Sequence, residues 1–205
     1  MTKVKICGIT DAETARFACE FGADALGFVF AKSKRQVSPI QAQAIILDLP
    51  SSIRKVGVFV NEKIENVKWI FSKCGLDYVQ LHGDESNSYI KSLDLPVIKA
   101  VGIGSKADVE QISSYEADYL LVDSPKGTTY QGGNGVTFDW ELLKDLDESI
   151  RKRLIVAGGL DEQNVQKAIC EIRPYIVDAS SSLETDGKKD MTKIARFIEK
   201  VKRCS

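Results

Sequence analysis

Eight short runs of β-branched and other apolar residues punctuate the chain, at Val4 to Cys7, Ala25 to Phe30, Lys55 to Val60, Tyr78 to Leu81, Val97 to Val101, Tyr119 to Val122, Leu154 to Ala157 and Ile176 to Asp178. Nearly every run is followed by a stretch whose apolar positions recur at helical spacing: Ala12 to Phe21, Pro39 to Leu47, Lys63 to Lys73, Glu85 to Ser92, Lys106 to Tyr115, Trp140 to Leu146, Glu162 to Ile172 and Met191 to Val201. Thr10 with Glu13 has the form of a capping box for the first helix, and Ser38-Pro39 suits the N-cap and first position of the second. Strict alternation of strand and helix predicts an α/β protein, a single (β/α)8 barrel over residues 1–205, small beside the roughly 250 residues usual for that fold. A doubly wound open sheet is the competitor. For dinucleotides it carries a Gly-rich GxGxxG after its first strand, where this chain has Cys7-Gly8-Ile9-Thr10.

In a parallel barrel the carboxyl ends of the strands hold the chemistry, and polar and glycine residues gather there in this sequence. Cys7 ends the first strand. Taken alone it suits a small buried apolar role, as most free cysteines do. Arg35 lies in the basic loop after the second strand, where a guanidinium could hold a carboxylate in the planar bidentate way that lysine cannot. His82 follows the fourth strand and Asp123 the sixth; an acid ending a buried strand is either hydrogen-bonded structure or tuned chemistry. The Gly127 to Gly135 stretch, running on to Phe138-Asp139-Trp140, has the length and composition of a lid. Gly158 and Gly159 follow the seventh strand, and Ser180 and Ser181 the eighth. Two small-residue turns on adjacent final strands form the phosphate position of this barrel, where backbone N–H groups face the anion.

Composition narrows the partners. A formal charge of −1 gives no basic field for nucleic acid or an anionic membrane, so any anion must be held by a shaped local site. Five cysteines at positions 7, 19, 74, 170 and 204, without CxxC spacing, and a single histidine predict a reduced protein with no metal site. With neither a signal-peptide pattern nor an apolar run of membrane-spanning length, the expected location is the cytoplasm. The expected partner is a small phosphorylated molecule; monomer and homodimer both remain open.

Lys5-Ile6-Cys7-Gly8-Ile9-Thr10, Ser33 through Arg35 to Pro39, Gln80-Leu81-His82-Gly83, Val122-Asp123, Gly132-Gly133-Asn134-Gly135 with Phe138-Asp139-Trp140, and Ala157-Gly158-Gly159-Leu160 together resemble the phosphoribosylanthranilate isomerases. The likeness spans essentially the whole chain. It implies a (β/α)8 barrel of tryptophan biosynthesis that performs an Amadori rearrangement without a cofactor, turning the ribosylamine of anthranilate into 1-(2-carboxyphenylamino)-1-deoxyribulose 5-phosphate. It also implies Cys7 as general base, Asp123 as general acid, Arg35 as anchor of the anthranilate carboxylate, and His82 as a further substrate contact. The chemistry asks for such a set: an acid for the ring oxygen as the furanose opens, then a base for the C2 proton. A thiol with pKa near 8.5 is only a few per cent thiolate at pH 7 and needs nearby positive charge. Lys5 is read as lying on the wrong side of the strand end to supply it.

Two positions depart from the family pattern. Asn134 stands where the Gly-rich loop usually has threonine, a mild change because Asn tolerates left-handed backbone. Ser182 stands where a glycine usually follows the Ser-Ser pair; if that position needs positive φ, the strain is about 1 to 2 kcal/mol and bears on phosphate affinity. An indole-3-glycerol-phosphate synthase would call for a lysine acid and a glutamate base where the first strand here ends in Cys7. A ribulose-phosphate epimerase would want metal-binding histidines, and a barrel that merely binds a phosphorylated ligand leaves Cys7 and Asp123 unexplained.

Overall fold

The structure, a computed structural model, describes residues 1–125 and 139–204. The strands β1 (Lys3–Cys7), β2 (Ala25–Val29), β3 (Arg54–Phe59), β4 (Tyr78–Leu81), β5 (Val97–Gly102), β6 (Tyr119–Asp123), β7 (Leu154–Val156) and β8 (Ile176–Ala179) pair in sequence order, all parallel, and close between β1 and β8. The predicted (β/α)8 barrel is what the chain forms. Side chains alternate across each strand. Ala25, Val56, Ile98, Ala100, Leu121, Ile155 and Ala157 fill the barrel interior. Val4, Ile6, Leu26, Phe28, Val79, Leu120 and Val177 belong to the larger core beneath the helices.

The helices are α1 (Ala12–Glu20), α2 (Pro39–Leu47), α3 (Ile64–Cys74), α4 (Asn87–Leu93), α5 (Lys106–Ile112), α6 (Glu148–Arg151), α7 (Val165–Ile172) and α8 (Met191–Lys202). For α2 the sequence reading is exact in both bounds: Ser38 and Gln41 cap each other and Pro39 opens the helix. For α1 the cap is Asp11 rather than Thr10. Its carboxylate accepts from Thr14 N at 2.8 Å and Thr14 Oγ1 at 2.9 Å, and places at the positive end of the helix a negative charge that a threonine lacks. Of the predicted Trp140 to Leu146 helix only a 3-10 turn forms, at Trp140–Leu143, and the short α6 follows beyond it. Arg151 reaches back to bond the carbonyls of Leu143, Lys144 and Leu146, so the interrupted turn keeps its acceptors satisfied.

The amino pole is tied by a repeated device. Asp24, Asp77 and Asp118 each stand one residue before an even-numbered strand, and each accepts from a backbone N–H at the start of the odd strand before it: Val4 at 2.8 Å, Lys55 at 2.7 Å and Val97 at 2.8 Å. After β8, the stretch read as a polar loop is a hairpin, β9 (Glu184–Thr185) with β10 (Lys188–Lys189). Its turn is Asp186-Gly187, both with positive φ, the backbone that a two-residue hairpin loop requires. The expected lid from Gly127 to Gly135, with Asn134 and Phe138, lies outside the described residues.

Candidate active site

Alternation along β1 puts Lys5 and Cys7 on the inward face, Cys7 uppermost at the carboxyl pole. A methyl group on Gly27 of β2, the register partner of Cys7, would lie 2.7 Å from its Sγ, so only glycine there leaves room for the thiol. Asp123 ends β6 at the same pole, about a third exposed, and its Oδ1 accepts from Ser124 N at 2.7 Å. His82 faces it, Nε2 to Oδ2 at 3.5 Å, and Gln80 Nε2 lies 3.1 Å from His82 Nδ1. With Gln80 donating, the ring proton sits on Nε2 and points at Asp123. The loop carrying His82 is fixed from below by Glu85, which turns inward instead of opening a helix. It accepts from Asn61 N at 2.8 Å and Gly83 N at 3.0 Å, and pairs with the buried ammonium of Lys99 at 2.8 Å.

Arg35 comes to the mouth from the β2–α2 loop. Glu184 of β9 grips its Nε at 2.5 Å and Nη2 at 2.8 Å. That leaves the Nη1–Nη2 edge of the fork for a second carboxylate. Lys189 of β10, almost wholly buried, pairs with Glu184 at 2.8 Å and donates to Ser180 O at 2.9 Å. Burial opposes charge on Glu184, but Arg35 and Lys189 outweigh it and hold the carboxyl below its usual range. Neither Glu184 nor Lys189 was a sequence candidate. The partner of Arg35 is 149 residues away, and the local signal, an Asp-Gly turn, was hidden in a polar stretch.

The two turns expected to hold phosphate are adjacent. Gly158 and Gly159 both have positive φ, and a methyl on Gly158 would lie 2.7 Å from Ser124 N and 3.0 Å from Asp123 Oδ1. This turn therefore packs directly on Asp123 and Ser124. Ser181 opens a short 3-10 turn, Ser181–Leu183, behind Ser180. Ser180 spends its hydroxyl on Cys7 O at 3.0 Å, so what it can offer an anion is its backbone N–H. Ser182 does not carry the strain considered for it. It is not among the positive-φ residues, and its hydroxyl donates to Leu160 O at 2.5 Å, joining the β7 turn to the β8 turn.

The reading of Lys5 is corrected. Two residues from Cys7 along a strand is the same face, and Lys5 is fully buried just beneath the thiol, in an ion pair at 3.0 Å with Asp178 of β8. Burial pushes the Cys7 thiol up, opposed by Lys5 and Lys189 and abetted by Asp178, with a net rise. Asp178 in turn faces Lys5, Asp123 and His82. Cys7, Asp123 and His82 thus stand at one pole, with Asp178 beneath them, level with Lys5.

A closed parallel barrel with a thiol, a carboxyl and a doubled glycine turn at its carboxyl pole defines a class, the (β/α)8 enzymes that work on small molecules at the strand ends. Comparison with known proteins then narrows the class. Residues 4–200 match the family model described as N-(5'phosphoribosyl)anthranilate (PRA) isomerase. The curated N-(5'-phosphoribosyl)anthranilate isomerase of Bacillus cereus strain ATCC 14579 is 55% identical over 202 residues, covering 98% of this chain and 100% of the relative. Among solved structures, the phosphoribosyl anthranilate isomerase of Thermotoga maritima superposes with a TM-score of 0.89 at 43% identity, covering 99% of this chain and 100% of the other. A further isomerase structure, in complex with reduced 1-(o-carboxyphenylamino)-1-deoxyribulose 5-phosphate, gives 0.85 at 41% identity with the same coverage. The chain belongs to the N-(5'-phosphoribosyl)anthranilate isomerase family.

Proposed function

We propose that this isomerase of tryptophan biosynthesis carries out its aldose-to-ketose shift with Asp123 as general acid and Cys7 as general base. Asp123 gives its proton to the ring oxygen of the ribosylamine; the C1–O bond breaks and the anilino nitrogen's lone pair forms the C1=N bond. The Cys7 thiolate then takes the C2 proton, the C2–H electrons become a C1=C2 double bond, and the iminium electrons return to nitrogen. Tautomerisation of that enol amine gives the ketose. The observation that carries this reading is the common pole: Cys7 ends β1 and Asp123 ends β6, so both stand at the carboxyl end of one closed parallel barrel.

Substrate placement follows from charge. The anthranilate carboxylate takes the open edge of Arg35, and the phosphate takes the N–H groups of the Gly158-Gly159 and Ser180-Ser181 turns. His82 contacts the substrate between them, and its contact with Asp123 sets it beside the proton donor. Five free cysteines fit a reducing compartment, the cytoplasm. No described helix is long and apolar enough to cross a membrane. The test is turnover of phosphoribosylanthranilate by purified protein, followed by loss of substrate fluorescence. Wild-type protein should turn over and Asp123→Asn should bind without turning over; an active Asp123→Asn would refute the assigned acid.

A further inference from the structure

We infer that Lys5 is a positioning residue for the reacting thiolate: its ammonium, fastened by Asp178 below the mouth, is the cation against which Cys7 loses its proton. The inference rests on Cys7 being the base and adds how that base is made.

Among the described residues three cations face Cys7: Lys5 from its own strand, Lys189 from the β9–β10 hairpin and Arg35 from the β2–α2 loop. One anion, Asp178 on β8, faces it as well. Two of the cations are already engaged. Arg35 is gripped by Glu184 along two N–H groups, and the ammonium of Lys189 reaches Glu184 Oε1, Ser180 O and, at 3.4 Å, Ser180 Oγ. Lys5 differs. Among the described residues its one carboxylate partner is Asp178 at 3.0 Å, set at an angle that makes no aligned hydrogen bond, so its Nζ is a fully buried donor with protons to spare.

A buried, imperfectly bonded ion pair is a poor way to stabilise a barrel, since an apolar pair of similar volume is often as good or better. Placed one inward position below Cys7, it is a sound way to hold positive charge against a thiolate in a site that excludes water. Burial works against the charged form of Lys5, but attraction to Asp178 and then to Cys7 outweighs it, so the lysine stays an ammonium. Asp178 has two opposed effects. It keeps the lysine charged, and its own negative charge disfavours the thiolate.

That opposition makes the test. Alkylation of Cys7 by iodoacetamide, followed by mass spectrometry of the Cys7 peptide so that Cys19, Cys74, Cys170 and Cys204 do not interfere, reports thiolate independently of turnover. At fixed pH near neutrality, Lys5→Met should slow alkylation about tenfold, equivalent to a rise of about one pKa unit. Asp178→Asn should speed it, because the ammonium is then left to the thiolate alone, and Lys5→Arg should stay near wild type. Should Lys5→Met fail to fold, Lys5→Met/Asp178→Leu removes both charges and should alkylate more slowly than Asp178→Asn. A purely structural role would move Lys5→Met and Asp178→Asn in the same direction. That result, or unchanged alkylation in Lys5→Met, overturns the inference. The kcat/KM profile separates this from failure of the functional reading: its acid limb should move up in Lys5→Met by the same interval as the alkylation profile. Alkylation that shifts while the limb stays put keeps the Lys5–Cys7 coupling and removes Cys7 as the base.

Discussion

Cys7, the proposed base, is held in a place that favours its neutral thiol. Burial raises its thiol, so the reactive form is scarce at neutral pH and kcat/KM should climb as pH rises above neutrality. The same shift has a stability consequence. A thiol raised in the folded state favours folding below the unfolded cysteine value, near 8.5, and loses that contribution as pH rises through its folded value. Denaturant midpoints of wild type should therefore fall between pH 8 and pH 10 more than those of Cys7→Ala. Asp123→Asn and Cys7→Ala should each lower kcat by about 10²- to 10⁴-fold with KM little changed, and full activity in Cys7→Ala would exclude the assigned base. Gly27→Ala tests placement alone. Its methyl would collide with Sγ, and a displacement of that order should cost kcat about 10²-fold with the acid, the fork and the phosphate turns untouched.

The β9–β10 hairpin is the element that would make Arg35 a usable fork for the proposed carboxylate. A long side chain from a loop has many rotamers to lose on binding, and Glu184 fixes it before substrate arrives. Glu184→Gln should raise KM several-fold while leaving kcat close to wild type, measurable in steady-state kinetics. Glu184→Ala strands the buried ammonium of Lys189 and should also destabilise the fold by roughly 3 kcal/mol. Because the Glu184 carboxyl is held below its usual range, its contribution is present above the unfolded glutamate value, near 4.3, and lost as pH falls through the lowered folded value. The stability gap between wild type and Glu184→Gln should close on acidification. Boundaries of elements were legible where the cap was local, as at Ser38 and Gln41. They were missed where a side chain was claimed from outside, as with Glu85, which anchors two loops and leaves α4 to begin after Ser86.

Across the whole barrel, two buried lysines sit on opposite faces of the sheet and do different work. Lys5 faces the interior below the mouth, whereas Lys99 of β5 faces the helix layer and pairs with Glu85, holding the β4 loop through Gly83 O at 2.7 Å. Lys99→Met leaves Glu85 buried and unpaired and should cost about 3 to 5 kcal/mol in chemical denaturation. It should also loosen His82 without altering Cys7 alkylation, which distinguishes it from Lys5→Met. The three aspartates of the amino pole, by contrast, tie neighbouring strands β1 to β2, β3 to β4 and β5 to β6 at the end of the barrel away from the mouth.

By itself the amino-acid sequence determined the eight alternations, the parallel barrel and the strand ends on which Cys7, His82 and Asp123 stand, because periodicity and turn residues are local and each element carries its own signal. Closure decided the rest. Bringing β8 beside β1 set Asp178 against Lys5, and the hairpin after β8 laid Glu184 on Arg35. Pairings between residues so far apart in sequence, buried where charge is strongly felt, have no local pattern to betray them and exist only once the sheet has come full circle.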